Sequence, residues 1–156
     1  MRRGKRFAVD VGEVRVGVAT CDPDGILATP VATLRRRQRD ITDVAQMVSD
    51  AEAIEVIVGL PFNMDGSEGA SARHARKWAR QLARRIAPVP VRMVDERLST
   101  VTAHSQLHAA GRDMRSHRSV VDQAAAIVIL ETALETERRT GKPCGELVSV
   151  VPEGDS

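Results

Sequence analysis

The hydrophobic pattern of this chain changes period near residue 40, and that change restricts its fold more than any single motif. Residues 6–11 (Arg-Phe-Ala-Val-Asp-Val) read as a strand, Gly12-Glu13 as a turn, and residues 14–20 as a second strand that alternates and pairs back on the first. Asp22-Pro23-Asp24-Gly25 is a turn sequence. A third strand follows over 26–33, where Pro30 points to an edge or a bulge. Beyond a basic loop at 35–39 the period becomes helical. Asp40 is the expected N-cap, with Val44, Met47 and Val48 on one face up to about residue 52. A buried strand over 54–59, a Gly/Pro/Asn-rich loop over 60–69 and a helix over 70–86 come next. A strand over 91–94 then ends at Asp95-Glu96. Ser99 or Thr100 caps a helix that closes at Gly111. A basic loop spans 112–118, and a final helix runs from about 119 to 139, apolar nearly all round in its first half and so expected to be deeply buried. Three antiparallel strands followed by alternating helices and strands make a mixed five-stranded α/β sheet flanked by helices. The domain is expected over residues 1–140. The tail at 141–156 is read as a loose end or a short extended piece at 148–151.

Composition narrows the function classes. The chain is 42% hydrophobic but only 2% aromatic, so its core is aliphatic and the base-stacking platform of single-strand binders is excluded. Cys21 and Cys144 form neither a disulfide framework nor a zinc pattern, and read as reduced cytosolic thiols, with an interchain bridge as the rarer alternative. The longest apolar run, Ala124 to Leu130, falls far short of the ~20 residues a membrane span needs, and no signal peptide is recognisable. A soluble cytoplasmic protein is expected. The net charge of +2 is mild, yet arginine is bunched at Arg35–Arg39, from Arg73 to Arg85 and at Arg112, Arg115 and Arg118. Such clusters suit phosphate contact, and the plainer reading is solvated faces and loops.

Three acidic positions fall where a strand ends or a helix begins. Asp10 interrupts an apolar strand, and a carboxylate there needs a cation, a hydrogen-bond network or a metal. A salt bridge to Arg15 would satisfy it without any chemistry. Asp95-Glu96 closes a strand at the edge where α/β sheets bind ligands, although exposed loop acids also sit there. Asp122 lies in the first turn of the last helix, a place the helix dipole alone can explain. Carboxylates converging from separate elements repel one another, and a hard divalent cation, Mg²⁺ or Mn²⁺, resolves that repulsion and binds substrate phosphates. His104 and His108 have a metal-binding spacing but no third ligand in sequence reach.

With these residues in view the chain resembles the YqgF family, also called RuvX, of pre-16S rRNA nucleases and Holliday junction resolvases. Four stretches carry the resemblance: Asp10 to Ala19 (DVGEVRVGVA), Val58 to Gly66 (VGLPFNMDG), Asp95 to Thr100 (DERLST) and Val121 to Ala126 (VDQAAA). It implies an RNase H-like fold and places the catalytic, metal-binding carboxylates on Asp10, Glu96 and Asp122. Asp95 and Glu96 should point opposite ways, and the resemblance selects Glu96. The similar RuvC-type resolvases carry a His one turn before their last acid, where this chain has Ser119, with His117 nearby. The implied partner is nucleic acid, pre-16S rRNA or branched DNA, bound by a monomer or a homodimer. Expected contacts are Arg15, Asn63 of the 60–69 loop, and Arg112, Arg115 and Arg118. For Arg15 a carboxylate partner is the alternative, and for Asn63 a role in the turn.

Two other readings remain open on sequence. Asp-x-Gly followed by a hairpin also resembles the phosphate-binding hairpin of actin-like kinases and ATPases, which need two such domains. An RNase H-like scaffold kept only to bind RNA or the ribosome is the third reading, and a self-repelling acid cluster argues against it.

Overall fold

The computed structural model describes residues 1–98 and 114–150, for residues 98 and 114–121 the backbone alone. Three strands open the chain: β1 (Arg6–Val11), β2 (Arg15–Cys21) and β3 (Ala28–Arg35). Then come α1 (Asp40–Ala51), β4 (Glu55–Leu60), α2 (Ala70–Ile86) and β5 (Val91–Asp95). One 3-10 turn at Glu96–Leu98 follows β5. A long helix, α3 (Met114–Thr140), leads to a two-residue β6 (Glu146–Leu147). The sheet order is β3-β2-β1-β4-β5-β6. The first three strands are antiparallel, β1, β4 and β5 run parallel, and β6 returns antiparallel to β5. This is the expected mixed α/β sheet with one strand more than expected. The tail supplies that strand because Gly145, at φ 92°, turns the chain against the backbone of Met93.

Strand alternation divides the core between two faces. Phe7 and Val9, Val16 and Val18, Val56 and Val58, and Val91 and Met93 face α1 and α2. Ala8, Ala19, Ile57 and Val94 face α3. β3 is an edge strand, and its pairing with β2 shifts register at Val18/Ala19, opposite the Pro30 segment, where the proline has no N–H to give.

Several local expectations are corrected. Asp40 is not a cap. It begins α1 as a buried residue and accepts a 2.8 Å hydrogen bond from Trp78 Nε1. Burial without a partner would be costly, and the indole of α2 supplies one. The stretch read as a basic loop is partly helix, since α3 already begins at Met114, so Arg115 and Arg118 lie on α3. Arg112, the helix expected over 99–111 with His104 and His108, and residues 151–156 lie outside the described residues. The first half of α3 is less enclosed than its composition implies. Residues 122–125 and Ile127 are half-buried, and the packed side is Ala126, Val128, Ile129, Leu130, Ala133 and Leu134.

An ion network holds the end of α3 to the start of the sheet. Glu137 accepts hydrogen bonds from Arg2 (2.6 Å to Nη2, 2.9 Å to the backbone N–H) and from Arg6 Nη2 (3.1 Å). Glu55 accepts from Arg2 Nη2 at 3.1 Å and lies 3.2 Å from Arg92 Nε. Burial pushes the Glu137 carboxyl up, but the Arg2 hydrogen bonds and the Arg2 and Arg6 charges outweigh it and set its pKa at about 2. A depressed acid contributes stability that is present above its unfolded value, near 4.5, and is lost as pH falls toward about 2. Glu137→Gln is expected to cost about 3 kcal/mol at pH 7, because it leaves buried guanidinium charge uncompensated. Urea titration at pH 7 and at pH 2.5 checks this: the difference from the parent should shrink sharply at the lower pH.

Candidate active site

The acids meet at one end of the sheet, on the face covered by α3. Strand parity sets which side chains reach it. On β1, Ala8 packs toward α3, so Asp10, two residues on, shares that side. On β5, Val94 packs toward α3, and Glu96 repeats that parity just past the strand. Asp95 belongs to the opposite parity. It is bound there by Arg97, whose Nε and Nη2 lie 3.1 and 2.7 Å from its Oδ2 and whose backbone N–H donates to its Oδ1 at 2.9 Å. Arg97 in turn stacks on Phe62 of the 60–69 loop, 4.4 Å from the ring centroid.

Two glycines make room for the acids. A Cβ at Gly59 would press on Glu96 Oε1 and Ile129 Cδ1, and a Cβ at Gly17 would collide with the backbone of Asp122. Gly17 pairs with Asp10 across β1 and β2, so the same position that lets α3 descend brings Asp122 over Asp10. Gln123 Nε2 donates to Thr33 Oγ1 at 3.0 Å and fastens this turn of α3 to the edge strand.

Asp10 and Glu96 share a hydrogen bond. Burial raises both carboxyls, and Asp122 adds like charge that raises Asp10 further. Glu96 is pushed up to about 9 by burial, by its bond to Asp10 and by the charges of Asp10 and Asp95. One proton therefore sits between the two carboxyls at neutral pH.

Asp122 is held apart from that pair. Its Oδ2 accepts a 2.9 Å hydrogen bond from Arg15 Nε, and its side chain is 18% exposed. The Arg15 bridge considered for Asp10 thus forms with Asp122, and the phosphate contact expected of Arg15 begins from a guanidinium already paired with a carboxylate. Among the described residues no three Asp, Glu, His or Cys side chains converge as a ready metal cage. The donor set still fits a hard cation. It is all oxygen, two of its carboxyls are desolvated, and Mg²⁺ commonly uses one or two carboxylates with water and phosphate completing its shell.

Asn63 has the turn role. Its Nδ2 donates to Ser67 Oγ at 3.1 Å, its N–H donates to the Ser67 carbonyl at 2.8 Å, and its carbonyl accepts from Gly66 N–H at 2.9 Å. Missing from the sequence reading were the Arg15–Asp122 pair, the Gly17 and Gly59 approaches and the Arg97 clamp. Glycines inside strand patterns are a legible sign of close approach, and strand parity gives the side each acid faces.

A family model described as "RuvX: Holliday junction resolvase" matches residues 4–136. This chain belongs to the RuvX family. Its curated relatives include a "Putative pre-16S rRNA nuclease" of Streptomyces coelicolor, 55% identical over 97% of this chain and 92% of the relative. One of the same description from Thermobifida fusca is 55% identical over 97% of this chain and 100% of its own length. Among solved structures, RuvC of T. thermophilus in complex with a Holliday junction substrate covers 90% of this chain and 99% of its own, with a TM-score of 0.60 at 16% identity. A second Thermus thermophilus RuvC structure gives 0.54 at the same identity. Those two likenesses establish the RNase H-like fold of this RuvX protein.

The shared proton generates a pH signature. An acid raised in the folded state stabilises least at high pH: its contribution is full below about 4.5 and is lost as pH rises toward about 9. In EDTA, Glu96→Gln is expected to exceed the parent in stability at pH 9 by on the order of 1–3 kcal/mol and to lose that advantage by pH 4.5. Chemical denaturation across that range reads it.

Proposed function

We propose that this RuvX protein is a divalent-metal-dependent nuclease that hydrolyses phosphodiester bonds in structured RNA and processes the 5′ end of pre-16S rRNA in the cytoplasm. The observation that carries the reading is the desolvated Asp10–Glu96 pair, sharing one proton beside Asp122. The names of the curated relatives support it. A purely structural role has no use for acids gathered in one corner, where Asp122 makes Asp10 harder to ionise and Asp10 does the same to Glu96.

Asp10 and Glu96 would hold Mg²⁺ or Mn²⁺, and the bound ion would supply water activation and charge stabilisation on the leaving oxygen. To hold an ion the two carboxyls would have to give up their shared proton. Asp122 would be the third ligand, and the Arg15 guanidinium now paired with it would be the positive group for a substrate phosphate. Arg112, Arg115 and Arg118, at and before the first turns of α3, are proposed as further nucleic-acid contacts, and Asn63 through the main chain of its loop.

A second reading, resolution of Holliday junctions, is favoured by the description of the matched family. It calls for a homodimer that presents two sites, whereas rRNA processing needs only a monomer. A labelled pre-16S 5′-leader RNA and a four-way DNA junction, each with Mg²⁺, Mn²⁺ or EDTA, separate the two. The parent should cut the RNA only with metal, and Asp10→Asn should bind it while cutting at least about 10²-fold more slowly. Preferential cutting of the junction would transfer the assignment to resolution. Equal binding by both proteins with no cutting in any metal would replace catalysis by a binding role.

A further inference from the structure

The first two arginine clusters are far apart in sequence, and the fold brings part of each to one groove as its two walls. The loop after β3 forms one wall with Arg36 and Arg37. The exposed stripe of α2 forms the other with His74, Lys77, Arg84 and Arg85. Two adjoining hollows, of about 270 and 530 Å³, share Arg37, Ile41 and Gln81 and make the groove continuous. Along α2 these residues recur at helical spacing, and they span about 16 Å at 1.5 Å per residue.

Several observations set this groove apart from a solvated helix face. Soluble helices usually intersperse acids with bases at i, i+4, yet α2 carries no Asp or Glu. The acid lining the groove is Asp40, which is buried, bonded to Trp78 Nε1 and 3.9 Å from Arg36 Nε. Arg37 holds a left-handed φ of 64°, a conformation costly for a residue with a Cβ. The side chains of Arg37 and Lys77 are exposed and make no hydrogen bond or ion pair with the described residues.

The groove lies on the α1/α2 face, opposite the acids, and the β1–β2 turn stands between the two. Arg36 Nη1 donates to the Gly12 carbonyl at 2.9 Å, and its N–H donates to the Val14 carbonyl at 2.8 Å. Gly12 and Val14 belong to the turn between Asp10 and Arg15, so a chain leaving the acid site across that turn meets the cations next.

We propose that this groove binds the sugar–phosphate backbone flanking the scissile bond, over a few consecutive phosphates. The inference extends the nuclease reading and rests on it for the identity of the chain that is bound. Contact is to phosphate and independent of base sequence: Trp78, the aromatic residue lining the groove, is 2% exposed and offers no ring for stacking.

The test is binding in EDTA, which does not depend on cleavage. The full chain and Arg37→Asn/Lys77→Gln are titrated with the labelled 5′-leader RNA and with an RNA shortened on each flank, from 50 to 200 mM salt. Asn tolerates the left-handed backbone at 37, so the variant should fold. Arg80→Gln/Arg139→Gln, equal in charge change and outside the groove, is the control. Expected are roughly tenfold weaker binding of the long RNA at 100 mM salt and a log K against log salt slope reduced by about 2. The advantage of the long RNA over the short one should vanish in the groove variant, and the control should match the parent. Equal slopes and equal affinities for parent and groove variant overturn the proposal. A lowered slope in a protein that cuts nothing would keep the groove and defeat the nuclease reading instead.

Discussion

Two carboxyls in a desolvated corner cannot both be charged unless a cation lies between them. At the end of β1 and β5 this chain presses Asp10 against Glu96 and sets Asp122 nearby. Without metal, the corner is satisfied by one proton within the pair and by the Arg15 guanidinium on the third acid. Both devices are replaceable. In the proposed nuclease a divalent ion would do the work of the proton, and Arg15, if released from Asp122, would be available to a phosphate. The charge balance of the site is thus complete without any bound ion.

The rest of the molecule makes that corner rigid. Strand parity sends Asp10 and Glu96 to the face of α3 and turns Asp95 away to Arg97. Gly17 and Gly59 give up side chains so that α3 and the Glu96 carboxyl can close in. At the other end of α3, Glu137 ties the helix to Arg2 and Arg6 beside the first strand. Anchorage by ions at one end and by glycine contact at the other fixes where Asp122 lies along the sheet.

Much of this was legible in the sequence because it depends on local periodicity. α2 and β1 occupy the expected residues, and the change of period near Asp40 marks the change from meander to alternating elements. The three acids were legible from their places at element ends together with the family resemblance. Pairings between distant side chains were not. Asp40 has the composition of a cap, and only the packing of α1 on α2 gives it Trp78 as a partner. Arg15 has no sequence signal that prefers Asp122 to Asp10, since that choice depends on how far α3 descends over Gly17. The sixth strand escaped because two residues carry no period.

The central claim is that a divalent cation takes the place of one proton at Asp10 and Glu96. Calorimetric titration of Mn²⁺ into the metal-free protein at pH 7.5, in buffers of different ionisation enthalpy, measures the protons released per ion. The account predicts close to one proton for the parent and almost none for Glu96→Gln. Binding by the parent with no proton release, or the same release from the variant, would contradict it.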